Sequence, residues 1–259
     1  MEETKMNSLS ETDSEQLLST DEERVVLRTY DRQLDLYNPE KHQIPVVVVG
    51  AGTIGSWTTL FLAKLGVDDI AVFDHDEIEL QNTANQLYGP HGVGMKKGDE
   101  LYSIVRDLTE FNLQGDNTQF PPEDLGYLPN GQFVLIVTVD SMKSRIAIHE
   151  WMKMNFYRVS LFIDSRVGGE VGRVFAYSPS SADGMQKYEA TLHSDTSDPN
   201  MSEELRKASE VKCTARSIID VSVGVASRIV NTFRRFATGR EIVFETDIDF
   251  RNDIWLTTK

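Results

Sequence analysis

The chain has 259 residues, of which 40% are hydrophobic and 26% charged, with a formal net charge of −15. That length is enough for one sizeable core, while the acid excess argues against a nucleic-acid-binding face, which needs clustered Lys and Arg to neutralise phosphates. A single cysteine, Cys213, excludes an internal disulfide framework and any Cys-based zinc site, and His42, His75, His91, His149 and His193 fall in no metal-ligand spacing.

The opening MEETKMNSLSETDSE is acidic and polar where a secretory signal would be basic and then apolar. Residues 1–22 are predicted to be a disordered acidic arm, and residues 23–259 the folded body. The uncharged stretch from His42 to Ala63 superficially suggests a membrane span. However, Pro45, four valines and three glycines make it a strand, a tight turn and a helix. A soluble, cytoplasmic protein without a membrane segment is expected.

In chain order, helical spacing over residues 23–36 predicts a short helix and its exit. Val46–Val49 reads as a buried strand, Ser56–Leu65 as a helix ending near Gly66, and Ile70–Phe73 as a second buried strand closing on Asp74. Lys96–Leu108 follows as a helix, Phe133–Val139 as a strand, Ser141–Phe156 as a helix and Leu161–Ile163 as a strand. This rhythm predicts an α/β protein with a doubly wound, mostly parallel sheet. Val171–Tyr177 begins a C-terminal antiparallel section, and Pro179–Lys212 is a long polar excursion. Ile218–Phe236 is helical and stops at Gly239, with Ile242–Phe244 and Ile254–Leu256 as closing strands. The cations Arg228, Arg234 and Arg235 read as the solvated side of that helix.

The sharpest motif is Gly50-Ala51-Gly52-Thr53-Ile54-Gly55, directly after a strand and opening a helix. Gly50 makes the tight turn, Gly52 lets a phosphate approach the backbone, and Gly55 permits close helix–sheet packing, the Rossmann-like arrangement. The helix N-terminus offers unpaired N–H groups to an anion. Asp74, 19 residues beyond Gly55, is placed to accept ribose hydroxyls. By itself this fingerprint also fits an NAD-dependent oxidoreductase, or a glycine turn needed only for packing with Asp74 capping a loop.

Five further stretches, in order, resemble the compact ThiF/MoeB/HesA branch of the ubiquitin-activating-enzyme-like superfamily. TYDRQLDLY (Thr29–Tyr37) resembles its RYxRQ opening, and VFDHDEIELQNTANQ (Phe73–Gln86) its DxD…SNLxRQ stretch. GVGMKK (Gly92–Lys97) is similar to VGxxK, VTVDSMKSR (Val137–Arg145) to TDNxxxR, and CTARSI (Cys213–Ile218) to the late Cys-Thr element. The resemblance implies ATP-dependent adenylation of the C-terminal glycine of a small ubiquitin-like or sulfur-carrier protein, chemistry that rests mainly on positioning and charge stabilisation. It implies Asp74 on the ribose, Lys97 on the phosphates, and Asp140 on Mg²⁺, a hard cation suited to carboxylate. Asn82 and Gln86 would line the phosphate site, and Asp76 with Glu79 would assist nucleotide or metal. Arg32 would reach the phosphates of a partner subunit in a homodimer.

The chain also departs from the pattern. Asn85 stands where the family has an arginine, Ser141 replaces an asparagine, and the paired Cys-x-x-Cys zinc motifs are missing, so no zinc is expected. Arg166 or Arg173 is the candidate replacement for the lost charge. Arg145 reads either as part of the site or as the partner of an acid. Cys213, between Lys212 and Arg216, is a possible nucleophile, with a small buried hydrophobe as the simpler reading. A degenerate nucleotide-binding scaffold of the same fold is the alternative to an active enzyme.

Overall fold

The computed structural model describes residues 29–122, 125–192 and 218–259. The predicted arm, Cys213 and most of the polar excursion lie outside them. The chain divides into two compact units, residues 1–41 and 42–259. In the first, Thr29 and Tyr30 are helical and residues 31–36 form turns, with Tyr30 O accepting from Gln33 N at 2.9 Å and Gln33 O from Tyr37 N at 2.8 Å. Residues 31–36 thus fall where the exit of the short helix was expected, and residues 23–28 lie outside the described residues.

The second unit is built on one eight-stranded sheet. Its elements are β1 (Val46–Val49), α1 (Gly55–Leu65), β2 (Ile70–Phe73), α2 (Lys97–Thr109), β3 (Gln114–Asp116), β4 (Phe133–Val137), α3 (Met142–Met154), β5 (Val159–Gly168), β6 (Val171–Tyr177), α4 (Ala182–Glu189), α5 (Ile219–Ala237), β7 (Glu245–Asp249) and β8 (Ile254–Thr258). The strand order is β3-β2-β1-β4-β5-β6-β7-β8, parallel from β3 to β5 and antiparallel from β5 onward. The doubly wound sheet with a C-terminal antiparallel section is the predicted one.

The central strands are continuous apolar runs because both sheet faces are covered. On one face Val47, Val49, Leu135, Val137 and Phe162 pack with Ile148, Trp151 and Met152 of α3 and Tyr188 of α4. Alternation sends Val46, Val48, Val134 and Ile136 to the other face, where α1 packs on α5. Helix α5 buries Val221, Val225, Ile229 and Phe233, a stripe at helical spacing. It rides close on β6: a Cβ at Gly172 would lie 2.2 Å from Val225 Cγ2.

Several expectations shift. The closing strand is Glu245–Asp249 rather than Ile242–Phe244, because the alternating Thr246 and Ile248 are the residues that become buried. Part of the excursion is helix α4, which Ser181 caps through Gly184 N at 3.2 Å and which inserts Tyr188 into the core. Edge strand β3 carries no apolar run and gave no signal. Arg228 is not on a solvated face, since its Nε donates to Thr246 Oγ1 at 3.0 Å.

His149 of α3 is wholly buried and shares a 3.0 Å hydrogen bond with the Tyr177 hydroxyl. Burial holds its pKa below the ordinary 6.5; Glu189, Lys153, Glu150 and Asp164 are the surrounding charges. The unfolded chain therefore takes up a proton at this position that the native state resists. Its stabilising contribution is present above about pH 6.5 and is lost as pH falls towards the lower folded value. The thermal midpoint of the wild-type chain is expected to fall between pH 7.5 and 5.5 more than that of His149→Gln. Equal slopes in differential scanning fluorimetry would contradict this.

Candidate functional site

Strand order reverses between β1 and β4, and beyond their C-terminal ends opens a crevice of about 1160 Å³. Such switch points are where open α/β sheets hold ligands, since adjacent loops diverge to opposite faces.

The glycine turn forms the floor of this crevice. Gly50 adopts φ +95° and donates its N–H to Phe73 O at 2.8 Å. Thr138, at the end of β4, donates its hydroxyl to Gly50 O at 2.7 Å, tying the turn across the switch point. A Cβ at Gly55 would sit 1.8 Å from Gly50 O, whereas one at Gly52 would meet nothing within 4 Å. Gly55 thus serves packing, and Gly52 leaves open space at the crevice. No side chain caps the N-terminus of α1, although Ser56 N donates to Gly52 O at 3.1 Å, and Gly52, Thr53 and Ile54, which lead into the helix, line the crevice.

Asp74 is 8% exposed and holds this turn in shape. Its Oδ2 accepts from Ala51 N at 2.6 Å and its Oδ1 from Asp76 N at 2.8 Å. The carboxylate therefore caps the loop, as one reading had it, and also lines the crevice. Tyr88 braces the same loop by donating its hydroxyl to Ala51 O at 2.7 Å, and burial pushes that phenol well above its ordinary pKa.

Of the two adjacent lysines, Lys97 faces the crevice from the start of α2 and is buried, its Nζ 2.8 Å from Asp76 Oδ2. Burial works against the Asp76 carboxylate, but the hydrogen bond and charge of Lys97, together with the charges of His75 and Lys96, more than offset it and the Asp76 pKa is lowered. Lys96 turns outward to Glu77 at 3.2 Å. His75 adds a signal that the sequence spacing missed: ligand-capable atoms of Asp74, His75 and Asp76 lie within 4.8 Å of one another.

Asn82 and Gln86 both line the crevice. Asn82 Oδ1 accepts from Glu79 N at 2.9 Å, so this side chain, with Glu79, shapes its own loop. Gln86 Oε1 is buried without a hydrogen-bond partner among the described residues; such an orphaned acceptor marks a site that a ligand or water completes. Asp140 is exposed at the crevice rim beyond β4. The hydroxyl of Ser141 is engaged in capping α3 through Ser144 N at 3.0 Å.

Asp164 and its partners were not legible as a unit. Arg145 pairs with an acid, as one reading had it, and the acid is Asp164 on β5. Arg166 also binds Asp164, at 3.0 Å, and both arginines line the crevice. The available signal was an acid closing a buried strand, the same pattern that had singled out Asp74. Arg173 lines the crevice as well but pairs with Glu245 and Asp247 of β7. Arg32 belongs to the first unit, where it is exposed. Cys213 lies outside the described residues.

Residues 30–245 match the family described as the ThiF family. Ubiquitin-like modifier-activating enzyme 5 of Bombyx mori is 33% identical over 116 residues, covering 40% of this chain and 30% of that protein. The tRNA threonylcarbamoyladenosine dehydratase of Escherichia coli K12 is 25% identical over 129 residues, 49% of this chain and 47% of that protein. The matches thus span about a third to a half of those relatives' lengths. Among solved structures, E. coli MccB with MccA-N7isoASN superposes with a TM-score of 0.68 at 15% identity, covering 89% of this chain and 72% of that one. MccB with ATP gives 0.64 at 14% identity, covering 85% and 65%. At such identity these structures speak to the fold alone.

Proposed function

The chain belongs to the ThiF family, and on that premise we propose that it binds ATP in the switch-point crevice and adenylates the C-terminal glycine of a small ubiquitin-like or sulfur-carrier protein. The observation that carries this reading is the convergence of the glycine turn, Asp74, Lys97 and Asp140 on one crevice. The residues present fit a nucleotide: Gly52 leaves room for close phosphate approach, the α1 N-terminus has no side-chain cap, and Gln86 has an unanswered acceptor.

When bound, ATP would supply an α-phosphorus open to attack by the carrier's carboxylate, with pyrophosphate as leaving group. The chain's own part is to hold and neutralise. Asp74 presents its remaining acceptor capacity to the ribose. Lys97 contributes a desolvated cation, whose attraction for phosphate is greater than it would be in water. Asp140 would hold Mg²⁺, and the homodimer would bring Arg32 of one subunit to its partner's site.

A second reading, a partner-docking scaffold that does not turn over, is favoured by two observations. Asn85 removes a cation, and the Ser141 hydroxyl is occupied in capping α3. Calorimetric titration with Mg²⁺ and a non-hydrolysable ATP analogue, beside NAD⁺, separates the readings. The analogue is expected to bind, and Asp140→Ala to weaken it tenfold or more in Mg²⁺ while changing stability by less than about 0.5 kcal/mol, because the residue is exposed. Lys97→Ala is expected to weaken it in the presence or absence of Mg²⁺. NAD⁺ binding alone would sink the proposal in favour of redox chemistry. Analogue binding without pyrophosphate exchange on a glycine-ended carrier would move the weight to the scaffold.

A further inference from the structure

Asp164 stands behind two cations that face the crevice. It is 0% exposed, and its Oδ1 accepts from Nη1 of Arg145 while its Oδ2 accepts from Nε of Arg166 at 3.0 Å. Each guanidinium has a second point of attachment. Arg145 Nη2 donates to Val139 O, the carbonyl next to Asp140. Arg166 donates from Nη1 to Thr191 O at 3.1 Å and from Nη2 to Thr191 Oγ1 at 2.8 Å, with its Cζ 4.7 Å from the Phe175 ring centre. Two guanidiniums sharing one carboxylate leave the group with a net charge of +1, and neither has another acid as salt-bridge partner among the described residues. A desolvated excess cation is unfavourable until an anion answers it. Asn85 leaves the Asn82–Gln86 loop without a cation, and Arg145 and Arg166 bring two to the same crevice.

We infer that Asp164 is a positioning residue, which sets Arg145 and Arg166 so that their remaining N–H groups meet an oxyanion of the bound ligand. That oxyanion is a phosphate of the nucleotide or the carboxylate of the carrier; the chemistry of recognition is shared. The inference rests on the adenylation reading and deepens it, by naming the group that replaces the missing cation.

The test compares wild type with Asp164→Asn and Arg166→Lys, each titrated with a non-hydrolysable ATP analogue, tripolyphosphate, a glycine-ended peptide and adenosine. Asp164→Asn raises the formal charge of the group to +2, so a pure field effect would tighten oxyanion binding. Loss of positioning instead weakens it, and about a tenfold loss is expected. Arg166→Lys keeps the charge but cannot span Asp164 and Thr191 with a rigid fork, and a similar loss is expected. Adenosine affinity, which has no oxyanion to lose, should hold in both. Whichever of tripolyphosphate and peptide is weakened identifies the source. If Asp164→Asn does not fold, Arg166→Lys decides alone. Unchanged or tighter oxyanion binding there, or a parallel loss of adenosine, overturns the inference, as does a wild-type chain that binds no oxyanion. A wild type that binds tripolyphosphate or peptide, but neither adenosine nor the analogue, would sink the nucleotide reading and leave the role of Asp164 standing.

Discussion

Gly55→Ala is expected to cost about 3 kcal/mol of unfolding free energy, measured by urea denaturation, while Gly52→Ala three residues earlier changes stability by less than about 0.5 kcal/mol. The difference follows from what an added methyl meets. At position 55 the Cβ would lie 1.8 Å from the Gly50 carbonyl oxygen and 2.5 Å from Thr138 Oγ1. The first is backbone and cannot swing aside, so α1 would have to lift from the turn. That lift would also strain the Thr138–Gly50 hydrogen bond that ties β4 to the turn. At position 52 the methyl meets nothing within 4 Å, so the fold should tolerate it. The effect of Gly52→Ala should instead be on nucleotide affinity, which is expected to fall at least tenfold, since the methyl occupies the space a phosphate would enter. Equal destabilisation by the two variants would mean that both glycines serve packing alone.

Arg145→Ala is expected to cost about 2–3 kcal/mol, since it strips Asp164 Oδ1 and Val139 O of charge-assisted hydrogen bonds while Arg166 still neutralises the Asp164 carboxylate. Asp164 is wholly buried and Arg145 only 5% exposed, so water cannot take over the lost contact. The exposed pair between Lys153 and Glu189, 2.8 Å apart, provides the contrast. Its loss in Glu189→Ala should cost no more than about 1 kcal/mol, because solvent screens both ends. Denaturation midpoints of the two variants at one pH decide this, and similar small shifts would show that the buried cluster is hydrated in solution.

The comparison between sequence and structure divides along physical lines. Val46–Val49 and Ile70–Phe73 were legible to the residue, because a strand covered on both faces leaves an unbroken apolar run, and Val171–Tyr177 was legible from its apolar majority although Gly172 and Arg173 interrupt it. Helix α1 was legible because Gly66 closes it in the left-handed conformation, φ 102°. Where burial is one-sided or partners are distant, the signal fades. Glu245–Asp249 alternates acids with Thr246 and Ile248, and its polar residues masked a strand that only β6 and β8 complete. Helix α4 was lost in a polar stretch, because Tyr188 is its main inward group and finds its aromatic neighbours on β5 and β6.

The candidate site divides in the same way. Local sequence determined the glycine turn and Asp74, since a tight turn, an open backbone and an acid at a strand end are demands made within a few dozen consecutive residues. The resemblance, rather than local chemistry, singled out Lys97 at the start of α2. The physical reason that Lys97 turns inward and Lys96 outward lies in the tertiary structure, in the 2.8 Å contact of Lys97 with Asp76 and the 3.2 Å contact of Lys96 with Glu77. That Arg145 pairs with an acid, and with which one, rested on Asp164, 19 residues away on β5. A run of residues carries its own hydrophobic period and turn chemistry. The pairing of charges across a parallel sheet depends instead on register and strand order, which only the folded chain supplies.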